Sequence, residues 1–123
     1  MKKQVTKAVL GQPSWQIKSD RVEAFVTETG GHVGPVKFRL GRRTVEPLSV
    51  APWHSEKLDP ALPAILRVLR GDFFCMPFGG NAKPYRGEKH PVHGEVANHN
   101  WTLDRSEEHT SELQSPCNLV CRL

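Results

Sequence analysis

The residues with potential chemistry are concentrated in two neighbouring segments, 69–81 and 90–101. The first segment carries Arg70 ahead of an aromatic and glycine-rich run, and the second carries the pair His90 and His93. The hydroxyl groups of a sugar need fixed hydrogen-bond donors and acceptors, whereas the apolar face of the sugar ring packs on aromatic carbon. Polar side chains that flank an aromatic loop are typical of a carbohydrate site, so this combination points first to a sugar as ligand.

Two other interpretations of the same residues remain open. Imidazole and carboxylate groups suit zinc or iron, so His90, His93 and Glu95 form a candidate metal site. Their H-x2-H-x-E spacing matches no established metal motif, and Pro91 stiffens the backbone between the two histidines. We therefore expect no metal or other cofactor. Arg70 is also compatible with a surface ion pair, and His93 with a loop histidine that bonds only to backbone carbonyls.

The sequence contains three cysteines, of which Cys75 alone lies in the aromatic run. Its neighbours are Phe73, Phe74 and Met76, and this setting predicts a small buried hydrophobe in a reducing compartment. The alternative is a reactive thiol, which requires an electropositive and partly open setting.

Three short motifs stand out in this region: Arg70-Gly71, then Pro77-Phe78-Gly79, then His93-Gly94-Glu95 with Ala97 and Trp101 after it. In this order they resemble the galactose mutarotase-like superfamily, which includes the aldose 1-epimerases and the hexose-6-phosphate epimerases. In that family an arginine–glycine segment leads to a proline–aromatic–glycine turn, and a histidine–glycine pair then precedes a tryptophan. The resemblance covers about residues 15–103, although only the central motifs are specific.

The resemblance implies an isomerase that binds a pyranose in a groove of a β-supersandwich and interconverts its anomers. It makes His93 the candidate catalytic residue, in contact with the sugar near the ring oxygen, and it places Arg70 on sugar hydroxyls or a phosphate. Phe78 and Asn81 complete the expected substrate-binding set with these two residues. The expected partner is a monosaccharide or a sugar phosphate.

The chain departs from the family pattern in two respects. The family's second histidine and its glutamate base come from strands beyond residue 104, and Glu95 does not match that base. Asp72 stands where phosphate-specific relatives tend to have a small residue, which weakens the case for a sugar phosphate. We therefore expect an N-terminal fragment that binds sugar but is catalytically inactive. The alternatives are a non-catalytic carbohydrate-binding domain of the same fold and, as a weaker one, a cupin-like metalloprotein.

Strand signals dominate most of the chain. Residues 22–29 are rich in β-branched and aromatic side chains and end at the turn signal Gly30-Gly31. Apolar residues alternate over 36–40, and Gly34-Pro35 just before them predicts a bulge or a late strand start. Gly41-Arg42 predicts a hairpin turn into a further short strand. These signals predict an antiparallel meander with one buried face, within an all-β fold.

The middle of the chain is less regular. Four prolines between residues 47 and 63 predict a long crossing without regular structure. Residues 64–69 are short and apolar, and here we favour entry into a strand over a helical turn. Residues 73–78 predict a buried strand or extended segment, and residues 79–91 predict a polar loop.

The composition bears on the partners and the location of the protein. The 123 residues include 17 lysines and arginines against 13 acidic residues, and the basic residues are scattered. A nucleic-acid-binding domain more often shows a dense basic stripe. No apolar run approaches the roughly 18–20 residues of a membrane span, and the lysine-rich start lacks the apolar region of a signal peptide. We therefore expect one cytoplasmic domain that binds neither nucleic acid nor membrane.

The end of the chain differs in character from the rest. The sequence RSEEHTSELQS, followed after two residues by NLVCRL, resembles the in-frame translation of a common sequencing adapter around a short variable index. A translated adapter carries no information about the native fold. We therefore expect the domain to be confined to residues 1–104, and residues 105–123 to be a foreign tail without native structure.

Overall fold

The main element of the fold is an antiparallel five-stranded sheet. In the computed structural model, which describes residues 5–106 and 117–121, its strands are β1 (Lys7–Val9), β2 (Gln12–Lys18), β3 (Val22–Thr27), β4 (Val33–Leu40) and β5 (Arg43–Val45). The strands follow one another across the sheet in chain order, and each neighbouring pair is antiparallel. The predicted all-β class and the predicted meander are confirmed.

The centre of the sheet is β3, and the core of the protein lies against it. Trp15 on β2 stands opposite Val26, and Ala24 stands opposite Val36 on β4. These four residues are all at most 9% exposed. Aromatic and β-branched side chains pack well on a pleated, buried surface, which explains why this part of the sequence forms the central strand.

The Gly34-Pro35 pair interrupts the pairing of β3 with β4. Val26 pairs with Val33 and Ala24 pairs with Val36, so β4 has one residue more than β3 between the two pairs. An extra residue on one strand is a β-bulge, where proline is tolerated because it has no N–H to donate to the ladder. The predicted bulge is therefore confirmed, inside a strand that already begins at Val33.

The segment after the irregular crossing is a helix, so the predicted strand entry is wrong. Helix α1 comprises Ala64–Val68, and Ile65 and Val68, three positions apart on one helix face, are buried. The indole Nε1 of Trp53 donates to the carbonyl oxygen of Leu66 at 2.8 Å and fastens the crossing to α1. The prediction failed because so short an apolar run does not distinguish the two periodicities. No helix in the described part of the chain has the length and apolar character that a membrane crossing requires.

Phe73 is half-buried and residues 74–78 are exposed, so of the two predicted forms, a buried strand or an extended segment, the buried strand is wrong. Three apolar side chains of this segment are between 46% and 56% exposed: Phe74, Met76 and Phe78. Cys75 is exposed as well, which corrects the prediction of a buried thiol. Among the described residues one isolated bridge, between Met76 and Gly94, connects the segment to a neighbour in place of a continuous ladder. Pro77 within the segment and Gly79 directly after it interrupt ladder formation, and an apolar run without partner strands stays at the surface.

A second, two-stranded sheet contains the last described residues. Strand β6 (Trp101–Ser106) pairs antiparallel with β7 (Cys117–Cys121). Residues 105–106 and β7 belong to the segment that we predicted to be a foreign tail, disordered or without native structure. Strand pairing does not show whether these residues are native, so the foreign origin of the tail stays a prediction. An open strand offers unpaired N–H and C=O groups to any segment of high β propensity, such as Leu119-Val120. The rest of the tail, 107–116 and 122–123, lies outside the described residues.

Candidate functional site

The turn at residues 77–79 lies directly beside the segment that contains His93. The backbone N–H of His93 donates to the carbonyl oxygen of Gly79 at 2.8 Å. Gly94 has a φ of +80°, and a side-chain carbon at this position would overlap the carbonyl group of Met76. A glycine is therefore required for the close approach of these two segments.

Four rings border the junction of these segments, and we call them the ring surface: Phe73, Phe78, His90 and His93. Phe73 meets His93 edge-on, with ring centroids 5.1 Å apart and ring planes at 81°. Phe78 meets His90 in the same manner, at 5.3 Å and 82°. Edge-to-face contacts of this kind are favourable because the positive edge of one ring faces the negative face of the other. Phe78 is nevertheless 46% exposed, so much of its ring remains open to a ligand.

His93, the candidate catalytic residue, is half-buried at the centre of this arrangement. Its backbone φ of +64° lies in the left-handed region, which is uncommon for a residue other than glycine. Its Nδ1 lies 3.5 Å from Sγ of Cys75. Within the described ranges no group bonds to its Nε2, so this nitrogen is available to donate a hydrogen bond to a ligand or to accept one.

Arg70 lies in the interior and not on the ring surface. It is only 2% exposed, and its guanidinium group donates to the carbonyl oxygens of Val68 at 3.0 Å, Val9 at 2.7 Å and Leu10 at 3.0 Å. Burial lowers the pKa of Arg70, although an arginine stays charged in proteins. The side chain thus fastens the β1–β2 turn to the end of α1. This placement does not support its predicted role in binding sugar hydroxyls or a phosphate.

His32 is fully buried behind the ring surface. Its ring stacks on Phe73 with centroids 4.7 Å apart, and its Nδ1 accepts the backbone N–H of Arg70 at 3.4 Å. No described residue forms a hydrogen bond with its Nε2. Burial lowers the pKa of His32 to about 4 and outweighs the carbonyl group of Ala97, which favours the protonated ring. The neutral ring therefore connects Arg70 to His93 by packing through Phe73.

Asn81 holds the loop in shape. Its Nδ2 donates to the carbonyl oxygen of Glu88 at 2.8 Å, and its Oδ1 accepts the backbone N–H of His90 at 2.7 Å. Both ends of the amide are thus engaged by the backbone of the loop. Asn81 therefore positions His90, and its predicted contact with substrate has no direct support in this geometry.

Glu95 bridges two histidines, an arrangement that we did not predict. His90 Nδ1 lies 3.0 Å from Oε1 of Glu95, and His99 Nε2 lies 3.1 Å from Oε2. The hydrogen bond with His90, and to a lesser extent that with His99, lowers the pKa of Glu95. Because both oxygens are engaged and the basicity is reduced, Glu95 is poorly suited to act as a general base. The spacing of four residues between Glu95 and His99 is the sequence signal that points to this pair.

The candidate metal set is divided in the structure. His90 faces Glu95, whereas His93 contacts Cys75. Over residues 5–103, whose side chains the structure describes, no group of three or more histidine, cysteine, aspartate or glutamate side chains could hold a metal ion. The geometry therefore defines a surface of aromatic and imidazole rings in which His93 is the imidazole with a free nitrogen. Comparisons with protein-family models, curated proteins and solved structures found no match to this chain.

Proposed function

We propose that this chain supplies the sugar-binding loop of a mutarotase-type isomerase and binds a monosaccharide or sugar phosphate on the ring surface. The observation that carries the proposal is the edge-on packing of two phenylalanine rings against two imidazoles beside the 77–79 turn. A pyranose combines an apolar ring face, which packs on aromatic carbon, with hydroxyl groups that need fixed hydrogen-bond partners. Phe78 offers the first of these contacts and Nε2 of His93 offers the second.

Interconversion of anomers requires proton transfer at two oxygens. A base removes the proton of the C1 hydroxyl while an acid protonates the ring oxygen; the ring opens, the C1–C2 bond rotates, and closure gives the other anomer. His93 fits the acid because its free Nε2 can carry a proton toward the ring oxygen, and one such group contributes about 10²–10⁴-fold in rate. Glu95 does not fit the base, since both of its oxygens are engaged. The resemblance assigns the base to strands after residue 104, so we expect binding without faster anomer exchange.

Because both carboxylate oxygens of Glu95 are hydrogen-bonded to histidines, a second candidate function is a non-catalytic carbohydrate-binding domain of the same fold. Such a domain would use the ring surface in the same way but would transfer no proton. Polarimetry separates the two functions when this chain is joined to the strands to which the resemblance assigns the base. Acceleration of anomer exchange above the rate in buffer supports the isomerase, and sugar binding without acceleration supports the binding domain.

Saturation-transfer NMR tests binding at the ring surface, with galactose, glucose and glucose 6-phosphate as ligands. An aromatic contact contributes about 1 kcal/mol, so Phe78→Ser should weaken the Kd about fivefold, and His93→Gln should weaken it to a similar extent. Tyr85→Ser is the matched control, because Tyr85 is 68% exposed and lies outside the ring surface. Absence of saturation transfer to every sugar, or an equal loss in the Tyr85 variant, would refute the proposal.

A further inference from the structure

A cavity of about 690 Å³ lies between the β1–β2 turn, the loop at residues 54–58 and α1. Leu10 and Leu58 form apolar parts of its wall. The polar and charged side chains of the wall are Gln12, His54, Ser55, Glu56, Lys57 and Arg67. None of these residues belongs to the ring surface, so the cavity is a separate place on the molecule.

The charges in the wall are unpaired. Lys57, Arg67 and Glu56 form no ion pair with another residue of the described chain. Two cations against one anion leave the cavity with a formal charge of +1 when His54 is neutral. The guanidinium fork, the ammonium group, a serine hydroxyl and a glutamine amide are all hydrogen-bond donors, and this set suits the oxygens of an anion.

The walls of the cavity are held in place by side chains that do not line it. The indole of Trp53 bonds to the carbonyl oxygen of Leu66 and ties the 54–58 loop to α1. The guanidinium group of Arg70 bonds to the carbonyl oxygens of Val9 and Leu10 and ties the β1–β2 turn to the end of the same helix. A site that is already formed loses less conformational entropy when a ligand binds.

We propose that this cavity binds a small oxyanion of the phosphate type, either free or carried as a phosphomonoester on a small molecule. Arginine recognises such an anion by two parallel N–H···O bonds, and lysine adds a compact positive charge. Glu56 opposes the anion and should weaken its binding. The proposal does not depend on sugar binding by the ring surface.

Titration of the full chain with inorganic phosphate at constant ionic strength tests the site, with chloride and sulfate as comparison anions and glycerol 3-phosphate as the phosphomonoester. In ¹H–¹⁵N NMR spectra we expect the largest shifts at the amides of Gln12, Ser55 and Lys57, with the ring surface unchanged. Tighter binding of glycerol 3-phosphate than of phosphate identifies the phosphomonoester as the source, and equal binding identifies the free anion. Phosphate shifts no larger than those with chloride would overturn the proposal.

Charge variants test the geometry of the site. Because the site is open, we expect Arg67→Gln and Lys57→Gln to weaken the phosphate Kd at least about fivefold each, which corresponds to about 1 kcal/mol. Glu56→Gln should tighten binding, because it removes the opposing charge. Arg42→Gln is the matched control: it removes an exposed arginine at the β4–β5 turn and should leave the Kd unchanged.

Two results from these variants would overturn the proposal. The first is an equal loss of affinity in the Arg42 and Arg67 variants, because that result assigns the binding to general surface charge. The second is weaker binding in Glu56→Gln. Lys57 and Arg67 are both exposed, so we expect both variants to fold and to report on the site itself.

Discussion

Replacement of Arg70 by methionine should destabilise the fold strongly, because this buried arginine bonds to three backbone carbonyl groups. The guanidinium group reaches Val68, Val9 and Leu10 at 2.7–3.0 Å. Each such bond contributes about 1–1.5 kcal/mol net, and the variant leaves three carbonyl oxygens without this donor. Removal of a buried charge returns part of that loss, since its desolvation cost disappears. We therefore expect a decrease of about 3 kcal/mol in the free energy of unfolding, a large share of the 5–15 kcal/mol typical of a domain.

Urea unfolding followed by tryptophan fluorescence measures this decrease. Arg67→Met is the matched control, because Arg67 lies three residues earlier on α1, is exposed and has no bonded partner among the described residues. Its cost should stay within about 0.5 kcal/mol, as for most surface substitutions. Arg70→Lys should give an intermediate loss, since an ammonium group keeps the charge but cannot reproduce the planar fork. If Arg70→Met were as stable as the Arg67 control, the structural role assigned to Arg70 would be refuted.

Three further predictions concern the surroundings of the ring surface. The pKa of His32 is about 4 in the folded chain and 6.5 without its surroundings. The free energy of unfolding should therefore be highest above pH 6.5 and fall by up to about 3 kcal/mol as the pH decreases through 4. His32→Phe should flatten this pH dependence in urea titrations, and an unchanged pH dependence in the variant would contradict the assignment. The lowered pKa of Glu95 stabilises the fold above pH 4.5, and this stabilisation is lost as the pH falls further. Glu95→Gln should remove this pH-dependent loss in the same titrations. If the variant still lost stability to the same extent below pH 4.5, the result would argue against the hydrogen bonds between Glu95 and the two histidines. A carbon added at Gly71 (φ +52°) would overlap the carbonyl oxygen of Val33, whereas a carbon added at Gly41 (φ +62°) would have nothing within 4 Å. In thermal melts, Gly41→Ala should lower the free energy of unfolding by about 1 kcal/mol and Gly71→Ala by at least twice as much. Equal losses in the two variants would disprove the close contact at Gly71.

The sequence predicts the first half of the fold well, because its signals are local. Alternating apolar residues and the Gly30-Gly31 turn predict β3 and β4, and Gly34-Pro35 predicts the bulge that lies between them. The predictions of a strand entry at residues 64–69 and of a buried strand at residues 73–78 fail, because a short apolar run does not determine the secondary structure or the burial of its segment. Whether such a run becomes a helix, a buried strand or an exposed loop depends on partners that are distant in sequence.

In the candidate site, too, features that depend on local signals are predictable from the sequence and features that depend on distant contacts are not. The position of the 77–79 turn beside His93 depends on a close approach of two backbone segments, and the His93-Gly94 motif contains the glycine that this approach requires. The environment of Arg70 depends on carbonyl groups at Val9 and Leu10, about 60 residues earlier in the chain. No local pattern reports such a contact. For this reason the sequence predicts a ligand-binding role for Arg70, whereas in the fold Arg70 is a buried structural residue.

The Arg70-Gly71 motif therefore serves to place the ring surface rather than to touch a sugar. Its two backbone N–H groups are fixed, one beside Nδ1 of His32 and the other on the carbonyl oxygen of Ser49. This anchor sets the start of the segment whose next aromatic ring, Phe73, packs between His32 and the candidate catalytic imidazole. A substitution at Arg70 that weakened sugar binding would consequently not demonstrate a contact with the sugar. A loss through misplacement of the ring surface should also appear in Gly71→Ala and should track the loss of folding stability, whereas loss of a direct contact should leave stability unchanged.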